Sequence, residues 1–300
     1  MEAKILADSR TASGNRVTTF QLSMWRSTLA EFNTHRVFSR NAGSSRAIPT
    51  ATLIDRVRNN PFMPVYWGKN QAGMQANVEL TGEELAIAKL EWRKAAGLAA
   101  DTAERLAAAH VHKQISNRIL EPFLEVAVVA TTNERGLSNF FALRCHKDAQ
   151  PEIRELAMMM LDAFEKSTPR VLSRNQWHLP YILPSEYAEY GVSPTETRFD
   201  AIEPLIKVSV ARCARVSYKA FDGTKASFEE DLKLYNRLLG AQPLHASPAE
   251  HQLSPDLKDF EGWVSPWLHG NINGWVQYRK MLNHEVVDNM TDARRIFASK

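Results

Sequence analysis

Apolar and polar positions change period several times along this chain, and each change predicts an element. Between residues 16 and 22, Val17, Thr18, Thr19, Phe20 and Leu22 form a run of strand formers, and residues 23–33 read as a helix. Ile48-Pro49 and the prolines Pro61 and Pro64 then mark irregular chain, with Val65, Tyr66 and Trp67 as a short strand. Thr81 and Glu84 have the spacing of a capping box, so a long helix is expected to start there. Leu85, Ala88, Trp92, Ala95, Ala96 and Ala99 recur at helical spacing, residues 103–118 continue in kind, and Gly97 or Asp101 offers a break.

Residues 123–131 are apolar and β-branched, as in a buried strand, whereas 137–143 and 150–164 read as helices, the second with its cap near Asp148 or Gln150. Four prolines, Pro169, Pro180, Pro184 and Pro194, make residues 166–204 an irregular connection. Beyond it, 205–210 reads as a strand, 228–239 as a helix opened by acidic residues, 253–266 as loop, and 270–280 as a packed amphipathic helix. These elements imply an α+β fold in which residues 1–165 and 205–300 flank the connection.

Composition narrows the class. Three hundred residues, 44% hydrophobic and 24% charged, suffice for a well-buried core, and a net charge of +3 gives no global reason for nucleic-acid binding. Cys145 and Cys213 are far apart, so neither a disulfide framework nor a paired zinc motif is expected, and a reducing compartment fits best. Met1 to Gly14 is polar and no long apolar run follows, so a cytoplasmic location without membrane contact is expected. His110 and His112 fall on different faces of a helix and carry no ligand pattern, so no metal is expected. Glycine-rich phosphate loops and a nucleophile elbow are also missing. Cys145, beside Arg144, reads as a small packed cysteine in preference to a nucleophile.

The densest chemistry lies between residues 35 and 46, where His35, Arg36, Arg40 and Arg46 alternate with Ser39, Asn41, Ser44 and Ser45. Arginine forks, hydroxyls and the close backbone approach that Gly43 permits make an anion-binding inventory. On composition alone a solvated basic loop fits equally well. The order of His35, Arg36, Ser39, Asn41, Ser44 and Arg46, however, closely resembles the signature of flavin-dependent thymidylate synthases. Three positions depart from that family: Thr34 stands for arginine, Glu31 for glutamine and Ala42 for an acidic residue.

Two further blocks resemble the same family. Arg118, Ile119 and Pro122, then Asn133, Arg135, Asn139, Phe140, Leu143 and Arg144, then Ala149, Gln150, Glu152 and Ile153 follow its order. The third block pairs Ala214, Arg215, Val216 and Ser217 with His245, Ser247, Pro248, Glu250 and His251. Family members carry that block before the signature, so a circular permutation is expected, with residues 205–300 completing the catalytic part formed by 1–165.

The resemblance implies an antiparallel sheet flanked by long helices, and conversion of dUMP to dTMP with methylenetetrahydrofolate as one-carbon donor and NADPH-reduced FAD as hydride source. It implies Arg144 and Ser44 as catalytic residues. FAD would be held by His35, Arg36, Asn133, Arg135, Asn139, Ser217, Ser247 and Glu250, and the nucleotide by Glu31, Ser44, Ser45, Arg46, Arg118 and Arg144. A homotetramer with active sites at subunit interfaces is implied as well. Two other readings stay open: a flavin-dependent dUMP hydroxymethylase or a related pyrimidine modification, and a non-enzymatic nucleic-acid module using these arginines with Trp275, Tyr278 and Arg279.

Overall fold

The computed structural model describes residues 1–217, 226–240 and 244–298. Its centre is a five-stranded sheet of β1 (Glu2–Thr11), β2 (Arg16–Trp25), β3 (Ser39–Ala42), β4 (Glu125–Asn133) and β5 (Arg170–Leu172), in the order β3-β4-β2-β1-β5. Every pairing is antiparallel except β1 with β5. Helices α1 (Leu29–Phe32), α2 (Thr50–Asn59), α3 (Gly82–Ala108), α4 (Lys113–Ser116), α5 (Glu134–Arg144), α6 (Pro151–Lys166), α7 (Pro184–Glu189), α8 (Phe199–Ala214), α9 (Phe228–Leu239) and α10 (Met290–Ala298) surround it. A small second sheet pairs β6 (Leu253–Pro255) with β7 (Trp275–Gln277). The expected antiparallel sheet with long flanking helices is therefore present.

Strand alternation assigns the two faces of the large sheet. Phe20, Leu22 and Met24 of β2 and Val126, Val128 and Ala130 of β4 face Leu137 and Phe140 of α5 and Ile153, Leu156 and Met160 of α6. Apart from Ala130, each of these buried side chains is worth about 1.5–3 kcal/mol in area removed from water. The opposite face carries Val129 against Cys213 and Val216, and Val17 against Leu253, Ile272 and Trp275. The sheet thus lies between α5–α6 and a layer built from α8 and the C-terminal segment. Helices α2 and α3 pack beside it through Leu53, Val57, Ala96, Ala100 and Ala103.

Several expectations need correction. Residues 23–33 are not one helix: β2 continues to Trp25, and a 3-10 turn over Arg26–Thr28 leads into the four residues of α1. The apolar run 205–210 lies inside α8. Leu205, Ile206, Val208, Ser209 and Val210 are all buried and only Lys207 between them is not, so this stretch shows no exposed face to reveal a helical period. Residues 270–280 form β7 and a 3-10 turn, because Gly270 (φ +58°) and Gly274 (φ +84°) bend the backbone out of helical conformation. The 253–266 stretch holds β6, while Val65, Tyr66 and Trp67 form no strand.

Helix α3 runs unbroken past Gly97 and Asp101, and Thr81 begins it without a side-chain cap bond. It ends at Ala108, where His110 adopts φ +60° and the amide of Val111 reaches back to the Leu106 carbonyl. The cap expected near Gln150 is present, its side chain accepting from the Ile153 amide at 2.9 Å, and α9 gains a capping box from Ser227 and Glu230 that the sequence reading did not name. The stretch 166–204 carries β5 and α7.

Candidate active site

The turn after α1 is built around a buried histidine. Phe32 and Phe38 anchor the turn in the core, and the His35 ring meets Phe140 edge-on at 4.8 Å. Arg40, on β3, ties the turn to the sheet by donating to the carbonyls of Asn33 (3.1 Å) and His35 (2.8 Å). Arg144, the last residue of α5, enters from the other side. Its Nε donates to His35 Nε2 at 2.8 Å, its Nη1 pairs with the Glu31 carboxylate, and its Nη2 lies 3.5 Å from Thr34 Oγ1. The sheet thereby brings three expected residues together, Glu31, His35 and Arg144, although the last is 109 positions from the histidine it touches.

His35 must be neutral to accept from Arg144. Burial, then Arg144, then Arg40 push its pKa down from 6.5 to about 4, so it remains an acceptor at neutral pH. Cys145 sits at the end of the same helix, half-buried, with its thiol pKa raised by burial more than Arg154 lowers it. A raised pKa removes the thiolate that a nucleophile requires.

A second cluster surrounds Glu121, which the sequence reading passed over. Its Oε1 accepts from Ser45 Oγ (2.6 Å) and Arg118 Nη1 (2.8 Å), and Arg26 Nη2 lies 3.1 Å away. Burial alone would raise the Glu121 pKa, but the Ser45 hydroxyl, Arg26 and Arg118 outweigh it and hold the carboxyl below its ordinary range. Asn117 Nδ2 fixes the Ser45 carbonyl at 2.8 Å, and Arg26 Nη1 donates to the Gly43 carbonyl at 3.2 Å. Ser45 and Arg118 are brought together here. Ser44 lies half-buried beside them in sequence, and Arg46 is exposed. The close approach at Gly43 is to the chain itself: a Cβ there would meet the Val216 carbonyl at 3.1 Å.

The residues expected to hold a flavin divide into two groups. Asn133 is spent on structure, its Oδ1 capping α5 through the Gly136 amide at 3.0 Å. Arg135 and Asn139 lie one turn apart on the exposed side of α5, and Arg36 is exposed on the turn. The side chains of Arg36, Arg46, Arg135 and Asn139 make no hydrogen bond or ion pair among the described residues.

The C-terminal block does return to the signature strand. Ser247 Oγ donates to Asn41 Oδ1 at 3.4 Å, and Asn41 Nδ2 donates to the Cys213 carbonyl at 2.7 Å. Ser39 is held by Asn271 (3.0 Å) and Gln277 (3.3 Å), and Gln277 also donates to the Glu250 carbonyl at 3.0 Å. The Glu250 carboxylate itself is paired with Arg279. Ser217 ends a 3-10 turn, and its side chain lies outside the described residues.

A buried polar chain crosses the sheet beneath this block. His251 Nδ1 bonds Thr131 Oγ1 (2.8 Å), Thr131 bonds Thr19 (2.6 Å), Thr19 bonds His178 Nε2 (2.7 Å) and His178 Nδ1 bonds Ser9 Oγ (2.9 Å). Burial lowers the pKa of both histidines from 6.5 to about 3, so both are neutral. Each hydroxyl and each neutral imidazole in the middle of the chain has one hydrogen for two links. His178 therefore donates along one of its links and accepts along the other, while Thr19 and Thr131 each donate along at most one. His178 carried no motif, and Thr19 and Thr131 read only as strand formers; their pairing appears only in the β2–β4 register.

No curated protein matches the chain. Two solved structures of the UMP/dUMP methylase PolB from Streptomyces cacaoi, bound with 5-Br dUMP and with 5-Br UMP, are similar at 21% and 22% identity with TM-scores of 0.43 and 0.41. Those alignments cover 50% of this chain in each case, and 67% and 69% of those chains. A family described as thymidylate synthase complementing protein matches residues 15–170, a span that holds the His35 turn, the Glu121 cluster and Arg144. With just over half of its length matched, the chain belongs to the thymidylate synthase complementing protein family.

Proposed function

We propose that this protein methylates dUMP to dTMP, with methylenetetrahydrofolate as one-carbon donor and FAD reduced by NADPH. The observation that carries this reading is the grip of Glu31, Thr34 and His35 on Arg144, since it joins the first and second sequence blocks into one site. Arg144 is assigned to the uracil ring, where its guanidinium offsets negative charge as N3 ionises. Ser44, Ser45, Arg46 and Arg118 are assigned to the nucleotide, chiefly its phosphate. Ser45 and Arg118 already converge on Glu121, and a phosphate would compete with that carboxylate for them.

The exposed donors suit FAD. Arg36 and Arg135 offer cations with no ion-pair partner among the described residues, and Asn139 adds an amide on the same side of α5 as Arg135, a set matched to pyrophosphate and ribose oxygens. His35, Asn133, Ser217, Ser247 and Glu250 complete the assignment. When bound and reduced, the flavin supplies the hydride. The chain's residues bind, orient and balance charge. The C-terminal layer, seated on β3 through Ser247 and Gln277, supports the reading of residues 205–300 as a permuted part of the same catalytic unit.

A cytoplasmic homotetramer completes the proposal. No helix among the described residues is long and apolar enough to cross a membrane. Donors left open on α5, and the exposed Ile87, Leu90 and Leu98 on α3, are surfaces that further subunits would cover. The test is direct: the purified protein should show flavin absorbance, and its reduced flavin should reoxidise faster with dUMP and folate present. Product mass then separates dTMP from a hydroxymethyl nucleotide, which carries one more oxygen. A colourless protein whose nucleic-acid affinity falls steeply with salt would refute the enzyme reading.

A further inference from the structure

We infer that Glu121 is a built-in anion that occupies the phosphate site, and that Arg26 is a further phosphate-binding residue which the incoming nucleotide takes over from it. This rests on the assignment of Ser45 and Arg118 to the nucleotide phosphate. Three donors from separate parts of the chain converge on one oxygen: Ser45 Oγ (2.6 Å), Arg118 Nη1 (2.8 Å) and Arg26 Nη2 (3.1 Å) all meet Glu121 Oε1. Two guanidinium groups and a hydroxyl around a single point are the surroundings that a phosphate oxygen requires. The carboxylate therefore stands where the ligand oxygen belongs, and a ligand binds by exchange with it.

Two of the donors are held by bonds that do not involve Glu121. Asn117 Nδ2 fixes the Ser45 carbonyl at 2.8 Å, and Arg26 Nη1 is anchored on the Gly43 carbonyl at 3.2 Å. Both would keep their positions when the carboxylate leaves. The Arg118 side chain is 49% exposed and that of Glu121 21%, so the cluster opens to solvent on the side where the exchange takes place. Charge sets its direction. Arg26 and Arg118 face one carboxylate, which leaves the cluster short of a negative charge. A phosphate monoester brings about 1.5 to 2 negative charges at neutral pH and balances both cations. A neutral nucleoside brings none and leaves Glu121 seated. Glu121 thereby sets a threshold that favours nucleoside monophosphates over nucleosides.

The test titrates the full-length protein with inorganic phosphate and, separately, with dUMP by calorimetry. Glu121→Gln keeps an oxygen that can accept the same three bonds and removes the competing charge, so it should bind both ligands about fivefold more tightly than wild type. Adding Arg26→Gln to that variant should cancel most of the gain, because the phosphate loses its second guanidinium. The ratio between Glu121→Gln and wild type should survive in about 1 M salt, where the Debye length is about 3 Å, since the competition is a contact effect. Equal phosphate affinity in the two proteins, or a gain that disappears at high salt, would overturn the inference. Should Glu121→Gln fail to fold, Glu121→Asp, whose carboxylate is withdrawn from the donors by one methylene, is read against the same outcomes. Inorganic phosphate needs no contact with a base, so it separates this inference from the reading beneath it. A phosphate gain with no dUMP binding in either protein would refute the nucleotide assignment and uphold the role of Glu121.

Discussion

At the scale of single residues, the site is governed by what each side chain can accept or donate. Arg144 serves three partners that lie at different angles, which a planar fork does and a point charge does not. Arg144→Lys is therefore expected to keep the fold while lowering dUMP-dependent turnover by about a hundredfold, in the range found for loss of one preorganised donor. Steady-state rates with a parallel thermal melt check this; a variant as fast as wild type would remove Arg144 from the chemistry. Thr34 is the complementary case. It is exposed, and its hydroxyl is turned back onto the Glu31 carbonyl at 2.7 Å. Thr34→Arg gives Glu31 a second cation and loosens its hold on Arg144, so bound flavin per protein, read from absorbance, should stay level or rise. Loss of flavin would mean that position 34 does not correspond to the family's arginine.

At the scale of elements, legibility followed exposure pattern. Helices α5, α6 and α9 were readable because each has one buried face, strand β2 because strand formers run together in it, and the cap at Gln150 because its polar signal is local. Helix α8 was not, since packing on several sides erases amphipathic period. Strand β1 was missed for the opposite reason: all but two of its residues are half-buried or exposed, so Glu2–Thr11 reads as a polar terminus. In the site, the conjunction of Arg144 with Glu31 and His35 was legible as motif order, whereas Glu121 and the histidine–threonine chain depend on register and long-range packing. Glycines show the same split. Gly97 lies inside α3 with nothing within 4 Å of a built Cβ, so Gly97→Ala should stabilise by about 0.5–1 kcal/mol. In Gly274→Ala the Cβ would meet Asn15 Nδ2 at 2.4 Å and the Trp263 ring at 2.9 Å, at φ +84°. That change should cost about 1–3 kcal/mol and loosen the C-terminal sheet from the β1–β2 turn. Denaturant melts of both variants give the comparison, and equal signs would contradict it.

At the scale of the whole molecule, the polar chain from Ser9 to His251 is one of the internal links between the central sheet and the C-terminal layer, and it stays formed only while its imidazoles are neutral. His178 and His251 have folded pKa values of about 3, and His35 about 4, all below the ordinary 6.5. The unfolded chain therefore binds more protons than the folded one at every pH between those limits, and stability falls as pH drops through about 6.5. The loss continues until the folded values are reached, at up to about 1.4 kcal/mol per pH unit for each histidine. Carboxylates such as Glu121 and Glu285, whose folded values lie below 4.5, add their own loss only in more acid solution. Between pH 6.5 and about 5 the slope should therefore belong to the three histidines. His251→Asn removes one of them: its stability at neutral pH should drop, because Thr131 loses its ring partner, while its slope over that interval should shrink by about a third. Urea unfolding at closely spaced pH values measures both. An unchanged slope would mean that His251 is protonated in the folded protein, and the chain would then have to be rebuilt around a charged imidazole donating from both nitrogens.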